Sequence, residues 1–293
     1  MDESRYDLNV RPSTIEGIFY PAEKGSLSNR LHELLNFGEH DSETGGLLYG
    51  IIVPHAALDY CGEVAAAAYR AAAARTVETV VLVGPVHREP AEALILPESG
   101  LFQTPLGSTA VDEKVVKRLA GLSALFRIDD IPHLEENCLE VQLPFVQHLF
   151  PGATIVPILL GKPTRSLVQL LARSLSGQYH ARLSSTLFVV TANMSSNAPE
   201  QKGRKEADQL IAWIREGDWQ SLIDAVERRR LSSCGAGCVA AILLMNRELE
   251  GTVTVLEQNS SLQMVKDPKK VVHYASFILK TDRQRTDEAA ADG

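Results

Sequence analysis

No stretch of this 293-residue chain approaches the roughly 18 uncharged apolar residues that a bilayer-crossing helix requires. The opening Met1-Asp2-Glu3-Ser4-Arg5 lacks the basic and apolar regions of a signal peptide, so a cytoplasmic location is expected. Positive charge is scarce as well. Twenty-nine Lys and Arg against 37 Asp and Glu leave a formal charge of −8, which argues against a dedicated nucleic-acid binder. The one basic cluster, Arg228-Arg229-Arg230, reads as the basic end of a helix. Cysteine is sparse too: Cys61, Cys138, Cys234 and Cys238 contain no CxxC pair, which speaks against a structural zinc site. A chain of this size in a reducing compartment needs no disulfide staples, and such cysteines commonly serve as small buried hydrophobes. No GxGxxG or GxxxxGK[ST] follows a strand, and neither a GxSxG elbow nor an HExxH pattern occurs.

What is present is an ordinary globular composition, 45% hydrophobic and 23% charged, with one recurrent local pattern. Thr79-Val80-Val81-Leu82-Val83 runs into Gly84-Pro85-Val86-His87, and Leu47-Leu48-Tyr49-Gly50-Ile51-Ile52-Val53 runs into Pro54-His55. Short apolar runs without alternation, closed by turn residues, read as strands buried on both faces of a mainly parallel sheet. Open sheets of this kind carry ligands beyond the carboxyl ends of their strands, where both histidines would lie.

Around that pair the chain reads as alternating strands and helices. Residues 1–10 form a polar arm, and Ser26–Phe37 is an amphipathic helix followed by a polar loop over Gly38–Gly46. Glu63–Ala74, rich in alanine, is expected to be the crossover helix between the two histidine-tipped strands. Thr104-Pro105-Leu106-Gly107 is a turn between extended pieces, and Ile128–Glu136 is a polar connection. Leu139–Leu149 reads as a helix kinked at Pro144. Thr154–Gly161 and Thr186–Asn193 are further buried strands, Lys202–Arg215 and Trp219–Arg229 are helices, and Val253–Gln258 and Val271–Leu279 are closing strands. One domain is expected over residues 11–280, with a disordered tail over 281–293.

In a parallel sheet the tips His55, His87 and Asn193 can converge. Cys234 joins them as a candidate because its small-residue loop opens a helix, whose free amides lower a thiol pKa. Two imidazoles and a thiolate suit iron, copper or zinc and leave positions open for water or substrate. A single histidine at a strand end reads first as a loop residue bonded to backbone carbonyls; the repetition puts a shared site on an equal footing with that reading for the pair. Gly235-Ala236-Gly237 reads as a tight, closely packed turn. Glu135, Glu136 and Glu140 suit a helix start whatever their function.

Arg11-Pro12, Gly17-Ile18-Phe19-Tyr20-Pro21, Val53-Pro54-His55-Ala56, Tyr60-Cys61-Gly62, Gly84-Pro85-Val86-His87, Leu139-Glu140-Val141-Gln142-Leu143-Pro144-Phe145, Cys234-Gly235 and Val271-Val272-His273-Tyr274-Ala275 occur in the order of the Memo family motifs. The chain resembles that family, whose prokaryotic members are called AmmeMemoRadiSam system protein B, over about residues 11–280. The resemblance implies a three-layer α/β fold like that of LigB-type class III extradiol dioxygenases, with a central mixed, mainly parallel sheet and helices on both faces. It also implies one transition metal held by His55, His87 and Cys234, and radical-SAM and AMMECR-type partner proteins.

The sequence departs from the family pattern where acid/base chemistry would reside. The usual Ser-Ser-Asp-x-x-His is here Thr191-Ala192-Asn193-Met194-Ser195-Ser196, and the usual Glu-His-Ser is Glu136-Asn137-Cys138. Asn193 cannot act as a general base, and Asn137 cannot shuttle protons near neutral pH. The expectation is a metal-binding pocket, also lined by Tyr60, Asn137, Glu140, Asn193 and Ser196, with part of its chemistry lost. Two alternatives stay open: a non-enzymatic scaffold or peptide-binding module, and an active non-haem dioxygenase or redox enzyme.

Overall fold

The computed structural model describes residues 9–37, 45–88 and 91–282. Most of the expected arm (1–10), loop (38–46) and tail (281–293) therefore lies outside the described residues. In chain order the elements begin with β1 (Val10–Arg11), α1 (Lys24–Asn36), β2 (Leu47–Val53), α2 (Leu58–Ala72) and β3 (Thr79–Pro85). Next come β4 (Leu94–Leu96), β5 (Leu101–Thr104), β6 (Gly107–Ala110), α3 (Glu113–Ala120), β7 (Phe126–Ile128), α4 (Asp130–Glu135) and α5 (Leu143–Leu149). The remainder is β8 (Thr154–Leu160), α6 (Arg165–Tyr179), β9 (Thr186–Thr191), β10 (Ser195–Ala198), α7 (Glu200–Glu216), α8 (Trp219–Glu227), α9 (Ala236–Glu248), β11 (Thr252–Ser260) and β12 (Val271–Thr281).

Four strands form a parallel centre in the order β2-β9-β3-β8. Nearly every residue in them is buried, so both faces are covered, as their unalternating sequences require. Antiparallel strands extend the sheet on each side: β12, with β10 and β11, beside β2, and β4 beside β8. The chain moves from β2 through α2 to β3 in one direction along the sheet, and from β8 through α6 to β9 in the other. Because such crossovers are right-handed, opposite directions put α2 and α6 on opposite faces. Side chains agree with this: Tyr49 of β2 donates its hydroxyl proton to Asn246 of α9, beside α6, while Tyr69 of α2 stacks on Phe145 of α5. The reversal makes a topological switch point at β2-β9-β3, where doubly wound sheets open a ligand crevice.

Local expectations needed correction in three places. Leu139–Leu149 is not one kinked helix: a 3-10 turn over Glu140–Gln142 leads into α5, and Pro144 occupies its first turn. A proline there forfeits no helical hydrogen bond. The connection over Ile128–Glu136 contains helix α4, started by Asp129, whose side chain caps the amide of Ile131. Helix α2 begins at Leu58, five residues before the alanine-rich stretch. The two histidine-tipped strands are joined by α2 as a crossover unit, as expected, with β9 lying between them.

Candidate metal centre

Register brings the strand ends level. Val53 of β2 pairs with Thr191 of β9, and Val83 of β3 pairs with Val190. Two residues beyond the last residue of each strand stands a polar side chain: His55 after β2, Asn193 after β9 and His87 after β3. Asn193 ties two tips together, its Oδ1 accepting from the His55 amide at 3.2 Å.

Cys234 arrives from the loop between α8 and α9. Gly235 has φ +93°, and a Cβ there would lie 2.8 Å from Ala192 Cα and collide with the Thr191 carbonyl. Only glycine lets this loop press on the end of β9. The contact is then stitched by Asn193 N donating to the Cys234 carbonyl at 3.1 Å and Ser233 Oγ donating to the Asn193 carbonyl at 2.5 Å.

The result is a compact donor set. His55 Nε2 lies 3.1 Å from Cys234 Sγ, and the two imidazoles meet edge to face with centroids 5.3 Å apart. One potential ligand atom from each of His55, His87 and Cys234 lies within 4.8 Å of the others. Donors bonded to one tetrahedral ion at ordinary Zn–N and Zn–S lengths stand about 3.3–3.6 Å apart. The set therefore fits a transition-metal ion once its widest pair closes by about 1.2–1.5 Å. His55 Nδ1 is buried without a hydrogen-bond partner, an uncommon state for an interior nitrogen.

Glu136 holds the second imidazole. Its Oε2 lies 2.6 Å from His87 Nδ1, and its Oε1 accepts from the His87 amide at 2.5 Å. A carboxylate on one imidazole nitrogen is the usual device for orienting the other toward a metal. Hydrogen bonds to Cys234 and Glu136, opposed by burial, push the His87 pKa up to about 10. Burial raises the Cys234 thiol, but His55 and hydrogen bonds from His55, His87 and Ser196 outweigh it and hold the thiol well below its ordinary value. The sulfur is thus prepared as a thiolate, the form that binds metal.

These donors open on a cavity of about 850 Å³. Tyr60 and Tyr274 form walls, with Asn137, Asn193 and Ser196 among the polar lining and Arg88 and Lys270 at its edge. Ser196 Oγ sits 3.4 Å from Cys234 Sγ. Glu140 does not line the cavity, contrary to its expected place there. It is fully buried behind the site, where it pairs with Arg11 at 2.5 Å and accepts from Tyr20 Oη at 2.5 Å and Thr14 Oγ1 at 2.7 Å. Burial raises its carboxyl, but Arg11 and these hydrogen bonds prevail and leave it below the ordinary carboxylate value.

Sequence reasoning assigned Glu136 to a helix start, whereas it caps the carboxyl end of α4 and serves His87. The available signal was the acid immediately before Asn137, close to a histidine-tipped strand only once the fold is known. Gly84 is a related clue: a Cβ there would stand 2.6 Å from Cys138 Sγ, so glycine admits the segment following Glu136 to the end of β3.

The model of the Memo-like protein family matches residues 11–278. A MEMO1 family protein of Thermoplasma volcanium is 27% identical over 272 residues, covering 92% of this chain and 98% of the relative. One from Caldivirga maquilingensis is 29% identical over 282 residues, covering 92% and 99%. A third, from Nitrosopumilus maritimus, is 26% identical over 274 residues, covering 92% and 98%.

Proposed function

The chain belongs to the Memo-like protein family, and from that premise we propose that it binds one transition-metal ion through His55, His87 and Cys234. The observation that carries this reading is the convergence of two imidazoles and a sulfur, with donor atoms within 4.8 Å, from three separate parts of the chain. Iron, copper or zinc suits this nitrogen and sulfur set; when bound, the ion supplies Lewis acidity, or electron transfer if it is iron or copper. Glu136 orients His87, Asn193 fixes the His55 backbone, and Gly235 seats the cysteine loop. General acid/base help is sparse: the Asn193 amide is bound to a backbone N–H, and Glu136 is engaged by His87.

The size of the cavity favours a second reading, in which a small organic substrate meets the ion, as in a non-haem dioxygenase or redox enzyme. Metal analysis of the purified protein beside a His55→Ala/His87→Ala variant tests the first reading. About one ion per chain is expected in the parent and none in the variant; equal content in both ends the proposal. Oxygen uptake by the metal-loaded protein with catechols, abolished by Cys234→Ala, tests the second.

A further inference from the structure

Two members of the arginine triplet 228–230 line a cavity other than the one at the candidate metal centre. Helices α7 and α8, with the chain leaving α8, enclose a groove of about 370 Å³. Half-buried Trp213 supplies an aromatic wall, and Lys205, Arg228 and Arg230 bring three cations to the lining. Arg229 has φ +52°, a left-handed conformation that costs a non-glycine residue free energy. That turn breaks the helical run so that Arg228 and Arg230, but not Arg229, line the groove.

Two carboxylates also line it, and both are engaged by groups outside the groove. Asp224 pairs with Arg165, while Glu206 accepts from Ser232 N at 3.0 Å and Ser232 Oγ at 2.6 Å, with Lys202 Nζ at 3.8 Å. Among the described residues, no side-chain hydrogen bond or ion pair holds Lys205, Arg228 or Arg230. The groove therefore combines acids already engaged elsewhere, cations without a side-chain partner and a tryptophan.

We propose that this groove binds a small phosphorylated compound with a planar ring, of the nucleoside monophosphate class. Guanidinium groups match phosphate oxygens in a bidentate manner, and an indole offers a stacking surface for the ring. The volume lies within the range of small-molecule sites, roughly 300–1,000 Å³.

Titrating the metal-free full-length protein with AMP, followed by calorimetry and tryptophan fluorescence, tests the assignment. One saturable site is expected, with adenosine and inorganic phosphate each binding more weakly than AMP. Arg228→Gln/Arg230→Gln should weaken AMP binding at least about tenfold, since charge-assisted contacts are lost. Arg230→Gln alone, at an exposed position, should weaken it in the same direction should the double variant fail to fold. Absence of saturable AMP binding, affinity unchanged in Arg230→Gln, or inorganic phosphate binding as tightly as AMP would each overturn the proposal.

Discussion

Two polar clusters interrupt the apolar interior near the strand ends, and they are finished to different degrees. Around Glu140, every participant is engaged: its carboxylate accepts from Arg11, Ser13, Thr14, Ile15 and Tyr20, and Arg11 also donates to the carbonyls of His133 and Glu136. Around Cys234, His55 Nδ1 is left without a partner and the sulfur borders an open cavity. A saturated network fixes architecture, here the docking of the segment over residues 11–20 onto α4 and the turn over Glu140–Gln142. An unsaturated one retains capacity for something that arrives later. Glu136 touches both, its side chain on His87 and its carbonyl on Arg11.

That contrast is most exposed to failure at the ligands themselves. His55→Ala/His87→Ala should abolish stoichiometric metal binding while leaving a folded protein, read by metal analysis beside circular dichroism. Glu140→Gln should do the reverse. Breaking a buried pair that is fully excluded from solvent costs about 3–5 kcal/mol, seen as a lower urea midpoint, while the remaining folded protein keeps its metal affinity. Glu136→Gln probes the bridge between the clusters. Loss of an orienting carboxylate should reduce metal affinity about 10–100-fold, measured by competition with a chromophoric chelator.

The smallest expected effect concerns pH. Burial, with help from Arg11, lowers the His133 pKa to about 3. Its folded value lies below its unfolded value, so the unfolded chain binds the extra proton between about pH 6.5 and 3. Stability is therefore full above that window and falls as pH drops through it, by up to about 1.4 kcal/mol per pH unit. Urea unfolding between pH 6.5 and 5 should show this slope, and His133→Gln should flatten it; an unchanged slope in the variant would place the titration elsewhere.

The candidate donors could be picked out in sequence because each follows a local cue: an apolar strand closed by proline and then histidine, or a cysteine before a glycine-rich helix start. The sheet was legible for the same reason, its central strands being too uniformly apolar for any position but the middle. Glu140 was not, because its meaning depends on Arg11, 129 residues upstream, and a carboxylate at a helix start gives no sign of which distant cation it meets. Glu136 was misplaced because the preceding six-residue helix was unforeseen, which reversed the end of the helix it caps. Asn193 shows the intermediate case. Its position at a strand end was readable, but its bond to the His55 amide depends on β9 lying directly beside β2.

The most direct test is a crystal structure of the metal-loaded protein with anomalous data collected at the absorption edge of the bound metal. The account predicts one strong peak about 2.0–2.3 Å from a ring nitrogen of His55, a ring nitrogen of His87 and Cys234 Sγ. A peak coordinated by other residues, or a fully loaded crystal in which Cys234 Sγ lies outside bonding distance, would contradict it.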